Sequence, residues 1–301
     1  MATLKPLWLS LGDTASRLHR SRTLQLACDY DGTLCPIVEH PDAARLPQRA
    51  QRVLERLARR DDVHVAVVSG RNLDDLQKHV GVSNLFLTGA AGLETQSEKG
   101  ERTRHLTDEQ ALPPDLRTSL DAWCTRFPGS WVEDKSVAFA LHYRGVAPDL
   151  QPAFGAGVRR RVRPFKNTAT LVHGKRVFEV MPSVAWDKAS ALRLWLDRQN
   201  AGDGTLMFFG DDTNDEPVHE LIRSRGGLAV AVGRTVSRAE YVLPSPNEVV
   251  WFLEWLEREW ESRPKPGERA DMEPVTSQQQ ERQQQQQQME STEANSEVAH
   301  S

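Results

Sequence analysis

Residues 24–28 (LQLAC) and 63–68 (VHVAVV) are short, mostly apolar runs, each too brief for a helix. Such runs read as strands buried on both faces of a parallel sheet, where side chains above and below each meet a core. Residues 85–88 predict another strand. Between these runs, residues 48–59 and 73–79 repeat their apolar positions at helical spacing, giving a βαβ progression. The rhythm resumes with residues 186–199 as helix, 206–209 as strand, 218–225 as helix and 228–232 as strand. It closes on residues 247–260, where Val249, Phe252, Leu253, Leu256 and Trp260 fall at helical spacing, the placement of core residues rather than of a recognition surface.

The middle of the chain breaks that rhythm. From residue 104 to 182 the pattern gives a helix at 116–126, β-like runs at 136–143 and 169–172, and a weaker run at 178–181. Antiparallel strands with helices on one face fit that order better than another βαβ unit. The expectation is an α/β protein with a Rossmann-like parallel-sheet core in two parts, residues 23–103 and 183–260. An inserted α+β cap domain occupies 104–182, with the active site in the cleft between the two. Residues 1–22 read as a short amphipathic lead-in, since the apolar stretch at 4–11 carries Lys5 and Pro6 and is too short to span a bilayer. Residues 261–301, with a glutamine-rich run at 278–288 and almost no large apolar side chain, cannot offset their ordering entropy by burial and read as a disordered tail.

Composition narrows the partners. At 301 residues, 39% hydrophobic and 27% charged, the chain has the material for one large core or two smaller ones. A net charge of −4 offers no overall basic field, so neither nucleic acid nor an acidic membrane surface is an expected partner. Cys28, Cys35 and Cys124 lack metal-ligand spacing, and their odd number argues against a disulfide framework. A reducing cytoplasm is the expected compartment.

Two of the predicted strands run directly into carboxylates. Residues 24–28 lead into Asp29-Tyr30-Asp31-Gly32-Thr33, and residues 206–209 into Gly210-Asp211-Asp212-Thr213-Asn214-Asp215. The crevice beyond the carboxyl ends of parallel strands is where such sheets place ligands. Carboxylates converging there repel one another unless a cation lies between them, and a few hard oxygen donors suit Mg²⁺. A strand-end aspartate can also attack a phosphoryl group and carry it as an aspartyl phosphate. Asp29, on the fixed end of its strand, is the candidate nucleophile. Asp31 is the candidate acid that protonates the leaving alkoxide and then, as base, activates water. Ser69, with Gly70 and Arg71 beside it at another strand end, and Lys188, at a helix start, are candidates to meet the phosphate. Singly, these have ordinary readings as an acidic turn, a Ser-Gly turn and a solvated lysine.

Taken in order, Asp-x-Asp-Gly-Thr, Ser-Gly-Arg, Lys and Gly-Asp-Asp resemble the four motifs of the haloacid-dehalogenase-like phosphatases. Glu133-Asp134-Lys135, followed by His142-Tyr143-Arg144, is similar to the cap signature of the trehalose-6-phosphate phosphatases, and the pair Lys175 and Glu179 before Pro182 matches the same family. Two places depart from it. Ala90 and Ala91 stand where the family usually has asparagine and histidine between glycines, and Asn214 where it more often has threonine. The resemblance implies Mg²⁺ ligands in Asp29, the backbone carbonyl of Asp31 and Asp211, with Asp215 or Asp212 in support. It implies that Arg71 belongs to the substrate site and that Glu133, Lys135 and Arg144 point from the cap towards sugar hydroxyls, with Lys175 and Glu179 assisting.

The expected activity is Mg²⁺-dependent hydrolysis of a small-molecule sugar phosphate, trehalose 6-phosphate, to trehalose and phosphate. Another sugar-phosphate phosphatase of the superfamily, acting on sucrose phosphate or a glycosyl phosphoglycerate, is the alternative. A phosphomutase and a non-catalytic sugar-phosphate sensor rank behind it. A trehalose-6-phosphate synthase making the substrate is expected as a separate chain.

Overall fold

The computed structural model describes residues 3–38, 43–174, 176–199 and 204–264. The glutamine-rich run and Lys175 lie outside the described residues. The larger sheet is built from Lys5–Pro6 (β1), Thr23–Asp29 (β2), Val63–Val68 (β3), Phe86–Gly89 (β4), Glu94–Gln96 (β5) and Arg102–Arg104 (β6) in the first part of the chain. Gly204–Gly210 (β11), Leu228–Val232 (β12) and Tyr241–Leu243 (β13) come from the last part. Their order is β1-β13-β12-β11-β2-β3-β4-β5-β6. From β1 to β4 all neighbours are parallel, and β5 and β6 extend the sheet in antiparallel fashion.

The apolar runs lack strict alternation because both sheet faces are covered. Leu24, Leu26 and Cys28 meet a core formed with Leu11–Arg20 (α1), Gln48–Ala58 (α2), Leu73–Val80 (α3) and Pro246–Ser262 (α8). Ala27, Ala66 and Phe208 meet the opposite core, formed with Lys188–Arg198 (α6) and Glu216–Ser224 (α7). Val249, Phe252, Leu253, Leu256 and Trp260 of α8 are all fully buried, each contributing about 1.5–3 kcal/mol if it behaves as an ordinary core side chain.

Residues 5–20 do more than lead in. β1 pairs with β13 at the sheet edge, and Leu7 and Leu18 are fully buried. A two-residue strand has no periodicity to read, which is why the pattern did not reveal it.

A second sheet comprises Trp131–Asp134 (β7), Phe139–His142 (β8), Ala169–Gly174 (β9) and Val177–Pro182 (β10), antiparallel throughout in the order β7-β8-β10-β9. Pro114–Cys124 (α4) and Gln151–Val162 (α5) cover one face, packing Leu120, Trp123, Phe154 and Val158 on Leu141, Phe178 and Val180. The predicted run at 136–143 starts later because the backbone turns at Ser136, with φ +71°, and Lys135 N–H bonds the Ala138 carbonyl at 2.9 Å. α5 was hidden by its glycines. A Cβ on Gly157 would stand 2.0 Å from Trp123 Cζ2, so glycine there lets α4 and α5 close together.

The sheets meet along a small apolar seam. Ala90 and Leu93 pack with Val137, joined by Leu106, Met181, Val184 and Trp186. His105 stacks on Trp186 with ring centroids 4.3 Å apart, and Trp186 Nε1 donates to the Gly92 carbonyl at 2.7 Å.

Candidate active site

Strand phase explains the placement of Asp29. It is in phase with Ala27, so it ends β2 on the side that α6 covers. The chain then turns sharply, with the N–H groups of Leu34 and Cys35 both bonding the Tyr30 carbonyl, at 3.0 and 3.1 Å. Gly32 holds φ +86°, and a Cβ there would lie 2.2 Å from Asp211 Oδ2. Only glycine allows the two acidic loops to approach this closely.

β11 lies beside β2 with Phe209 opposite Cys28, which brings Asp211 to Asp29 from far along the chain. Thr213–Asp215 form a single 3-10 turn that separates the roles of the two remaining aspartates. Asp212 is exposed and caps the turn, its carboxylate accepting from Thr213 N–H at 2.7 Å and Thr213 Oγ1 at 3.0 Å. Asp215 turns inward and is fully buried. Carboxylate oxygens of Asp29, Asp211 and Asp215 all lie within 4.8 Å of one another, so the geometry gathers Asp215 into the group and leaves the Asp212 side chain outside it.

Lys188 stands against this group. It is the first residue of α6, where the Asp187 carboxylate accepts from Ser190 N–H at 2.8 Å and fixes the helix start. Its Nζ donates to Asp29 Oδ1 and Asp215 Oδ1, both at 2.7 Å, and to Asn214 Oδ1 at 2.9 Å, which engages all three ammonium hydrogens. Burial alone would lower the Lys188 pKa, but Asp215 and Asp29 outweigh it and hold the amine above the usual lysine range. Burial raises the Asp29 carboxyl well above the carboxylate range, against Lys188 and reinforced by Asp215 and Asp211. Asp211 is pushed up to about 7 by burial and by Asp215 and Asp212. One ammonium does not balance three converging carboxylates, and their hard oxygens fit a small divalent cation.

Asp29 registers with Val68 of β3, so Ser69 emerges beside it at the same sheet edge. Ser69 is buried, and its Oγ accepts from Arg71 N–H at 3.1 Å. Arg71, expected at the substrate, has its guanidinium engaged with aspartates. Nε and Nη2 donate to Asp31 at 2.7 and 2.8 Å, and Nη1 donates to Asp75 at 2.7 Å. This bidentate pair orients the Asp31 carboxylate.

Ala90 and Ala91 tie this loop to the end of β4. Ala90 N–H bonds the Arg71 carbonyl at 2.5 Å and Ala91 N–H bonds the Ser69 carbonyl at 3.0 Å. Both alanines take left-handed backbone, with φ +48° and +55°, where each L-residue costs about 1–2 kcal/mol.

In the second sheet, Glu133, Ala140 and Glu179 lie in cross-strand register on the face away from α4 and α5. Lys135 Nζ donates to Glu179 Oε1 at 2.8 Å, and Glu133 Oε2 is 2.7 Å from His142 Nε2. Burial works to raise the Glu133 carboxyl, but the His142 hydrogen bond and the charges of Lys135, His142 and Arg71 hold it below its usual range. Ser136 Oγ donates across the seam to Glu94 Oε1 at 2.6 Å. Arg144 is not drawn into the group; it is exposed in the turn after β8, at the end of the sheet away from the seam. A cavity of about 240 Å³, lined by Asn72, Glu94, Arg102, Arg104 and Ser136 among others, opens at the seam and holds none of the expected site residues.

Several contributing residues carried no assigned role in the sequence. Asn214 binds Lys188, Thr33 Oγ1 lies 3.5 Å from Asp211 Oδ1, and Asp75 binds Arg71. Of these, Asp75 had a usable signal, the i,i+4 spacing from Arg71.

A parallel core sheet with carboxylates at its strand ends and a second, antiparallel sheet beside it is the architecture of the capped haloacid-dehalogenase-like hydrolases. Solved structures share it. The C-terminal domain of Candida albicans trehalose-6-phosphate phosphatase superposes with a TM-score of 0.73 at 23% identity, covering 85% of this chain and 98% of that one. A haloacid dehalogenase-like hydrolase from Bacteroides thetaiotaomicron gives 0.56 at 17% identity, covering 78% and 99%. In sequence, the trehalose-phosphatase family model matches residues 27–247. "Probable trehalose-phosphate phosphatase 4" of Oryza sativa subsp. japonica is 30% identical over 258 residues, 82% of this chain and 70% of that protein. The chain belongs to the trehalose-phosphatase family. Among the described residues no helix is long and apolar enough to cross a membrane.

Proposed function

We propose that the protein hydrolyses trehalose 6-phosphate to trehalose and inorganic phosphate, with Mg²⁺ held by Asp29, Asp211 and the backbone carbonyl of Asp31, and with Asp215 in support. The observation that carries this reading is the convergence of Asp29, Asp211 and Asp215 within 4.8 Å against Lys188, in a member of this family. Bound Mg²⁺ supplies positive charge to the phosphate oxygens as negative charge spreads over them in the transition state.

The chain's own residues divide the rest of the work. An Asp29 carboxylate oxygen forms a bond to phosphorus while the bond from phosphorus to the sugar oxygen breaks, leaving an aspartyl phosphate. Arg71 orients Asp31; the protonated Asp31 of the substrate complex gives its proton to the departing sugar oxygen, and the resulting carboxylate then takes one from the water that attacks phosphorus and restores Asp29. Lys188 holds Asp29 in place and offsets charge as the phosphate enters. Ser69 meets a phosphate oxygen. Glu133, Lys135 and Glu179 hold sugar hydroxyls by charge-assisted hydrogen bonds, which disfavour analogues lacking those hydroxyls; Arg144, at the far end of the sheet, is left out of this set, and Lys175 lies outside the described residues. The reading extends to a cytoplasmic setting, which suits three buried free cysteines, and to a separate synthase chain that makes the substrate.

Phosphate release from trehalose 6-phosphate, sucrose 6-phosphate, glucose 6-phosphate and a glucosyl phosphoglycerate, each with and without Mg²⁺, tests the reading. Mg²⁺-dependent preference for trehalose 6-phosphate is expected. Preference for another ester would keep the chemistry and overturn the substrate.

A further inference from the structure

We propose that Trp131 is the platform on which the sugar ring distal to the phosphoester stacks, an inference that rests on reading the substrate as a disaccharide phosphate. Trp131 belongs to β7, the edge strand of the second sheet, and registers with His142 on β8. Cross-strand partners share a face, so Trp131 and His142 lie on the same side as Glu133 and Glu179, opposite the face buried under α4 and α5. Single exposed apolar side chains are ordinary on protein surfaces. What distinguishes Trp131 is how it is mounted. Its indole stacks on the His142 imidazole with centroids 4.2 Å apart and planes 14° from parallel, and Glu133 fixes that imidazole at 2.7 Å. One indole face is therefore packed against a held partner, while the residue as a whole stays 45% exposed.

Position along the strand supports the same role. Asp31 is held by Arg71, and β7 runs from Trp131 towards Ser136, whose Oγ donates to Glu94 of the core sheet at 2.6 Å. Trp131 is two residues further along β7, about 6.6 Å beyond Glu133 and away from the seam. In the proposed pose the phosphoester lies at the Asp31–Arg71 pair, the first ring along the strip of Glu133, Lys135 and Glu179, and the second ring at the indole. A disaccharide phosphate presents matching chemistry in that order: the phosphoester, the hydroxyls of the first ring, and a second ring whose C–H face is complementary to the negative face of an aromatic. A monosaccharide phosphate has no second ring to reach Trp131. His142 and Glu133 act on the platform as positioning residues, because they fix the ring against which the indole rests.

The test is steady-state kinetics of the wild type, Trp131→Ala and Trp131→Phe on trehalose 6-phosphate and glucose 6-phosphate. In Trp131→Ala the ratio of kcat/KM for the disaccharide to that for the monosaccharide should fall by about tenfold, the scale of losing a modest apolar contact, and KM should carry the change. Trp131→Phe, which keeps an aromatic face, should restore most of the ratio. A ratio unchanged in Trp131→Ala, including one left unchanged by equal losses on both substrates, would overturn the platform while the activity stands. A wild type that releases no phosphate from trehalose 6-phosphate would overturn the activity, and the platform with it.

Discussion

Replacing Lys188 with methionine isolates the electrostatics of the site, because methionine keeps most of the stem's volume and removes only the charge. Lys188 is 3% exposed and Asp29 4%, and Asp215 is fully buried, so the variant leaves two desolvated carboxylates without their cation. Removing one partner of a buried pair costs about 3–5 kcal/mol, which is the loss expected near neutral pH without divalent metal. The deficit should depend on pH in a defined direction. Burial and mutual repulsion already raise Asp29 and Asp211 above their unfolded values, and without Lys188 they are raised further. As pH falls these groups take up protons and the missing ammonium matters less, so the deficit should be less than half as large near pH 5. Saturating Mg²⁺ at neutral pH should also shrink it, since the ion supplies the charge that the lysine provided. Urea unfolding of both proteins at two pH values, with chelator and with Mg²⁺, measures all four quantities. A deficit of the same size in every condition would assign Lys188 to packing and refute the electrostatic account.

The wild type carries a related signature. For Asp211 the folded pKa lies above the unfolded one, so metal-free protein should lose stability as pH rises from about 3.8 through about 7, and thermal melts should show Mg²⁺ stabilising more at the upper end of that window than at the lower. Ala91 is held at φ +55° and ψ +33°, where asparagine is better tolerated, so Ala91→Asn should raise stability by about 0.5–1 kcal/mol in denaturant titrations. Gly157→Ala would drive a methyl to within 2.0 Å of the Trp123 ring and should destabilise by about 1–3 kcal/mol, read as a lower unfolding midpoint.

Legibility followed how locally each feature is determined. The parallel core could be read because strands such as β3 and β12 are almost wholly apolar runs, and Asp29, Ser69 and Asp211 could be listed because each lies at or just beyond the end of such a run. Separating Asp212 from Asp215 required the 3-10 turn, which the residue before it caps and whose last residue points inward. The Arg71–Asp31 pair could not be read because the two residues are forty apart in sequence and meet only through the β2–β3 pairing. The Trp131–His142 stack depends on antiparallel register, which no local pattern fixes. α5 escaped notice because Gly155 and Gly157 weaken helical propensity, and the packing of α4 that compensates is tertiary.

In the proposed mechanism Asp29 attacks the phosphoryl group of trehalose 6-phosphate. Turnover with Mg²⁺ quenched by borohydride tests it directly, because an aspartyl phosphate is reduced to homoserine and peptide mass mapping locates the residue. Homoserine is expected at position 29, formed only when substrate and metal are both present. Homoserine at another aspartate, or none while phosphate is released, would contradict it.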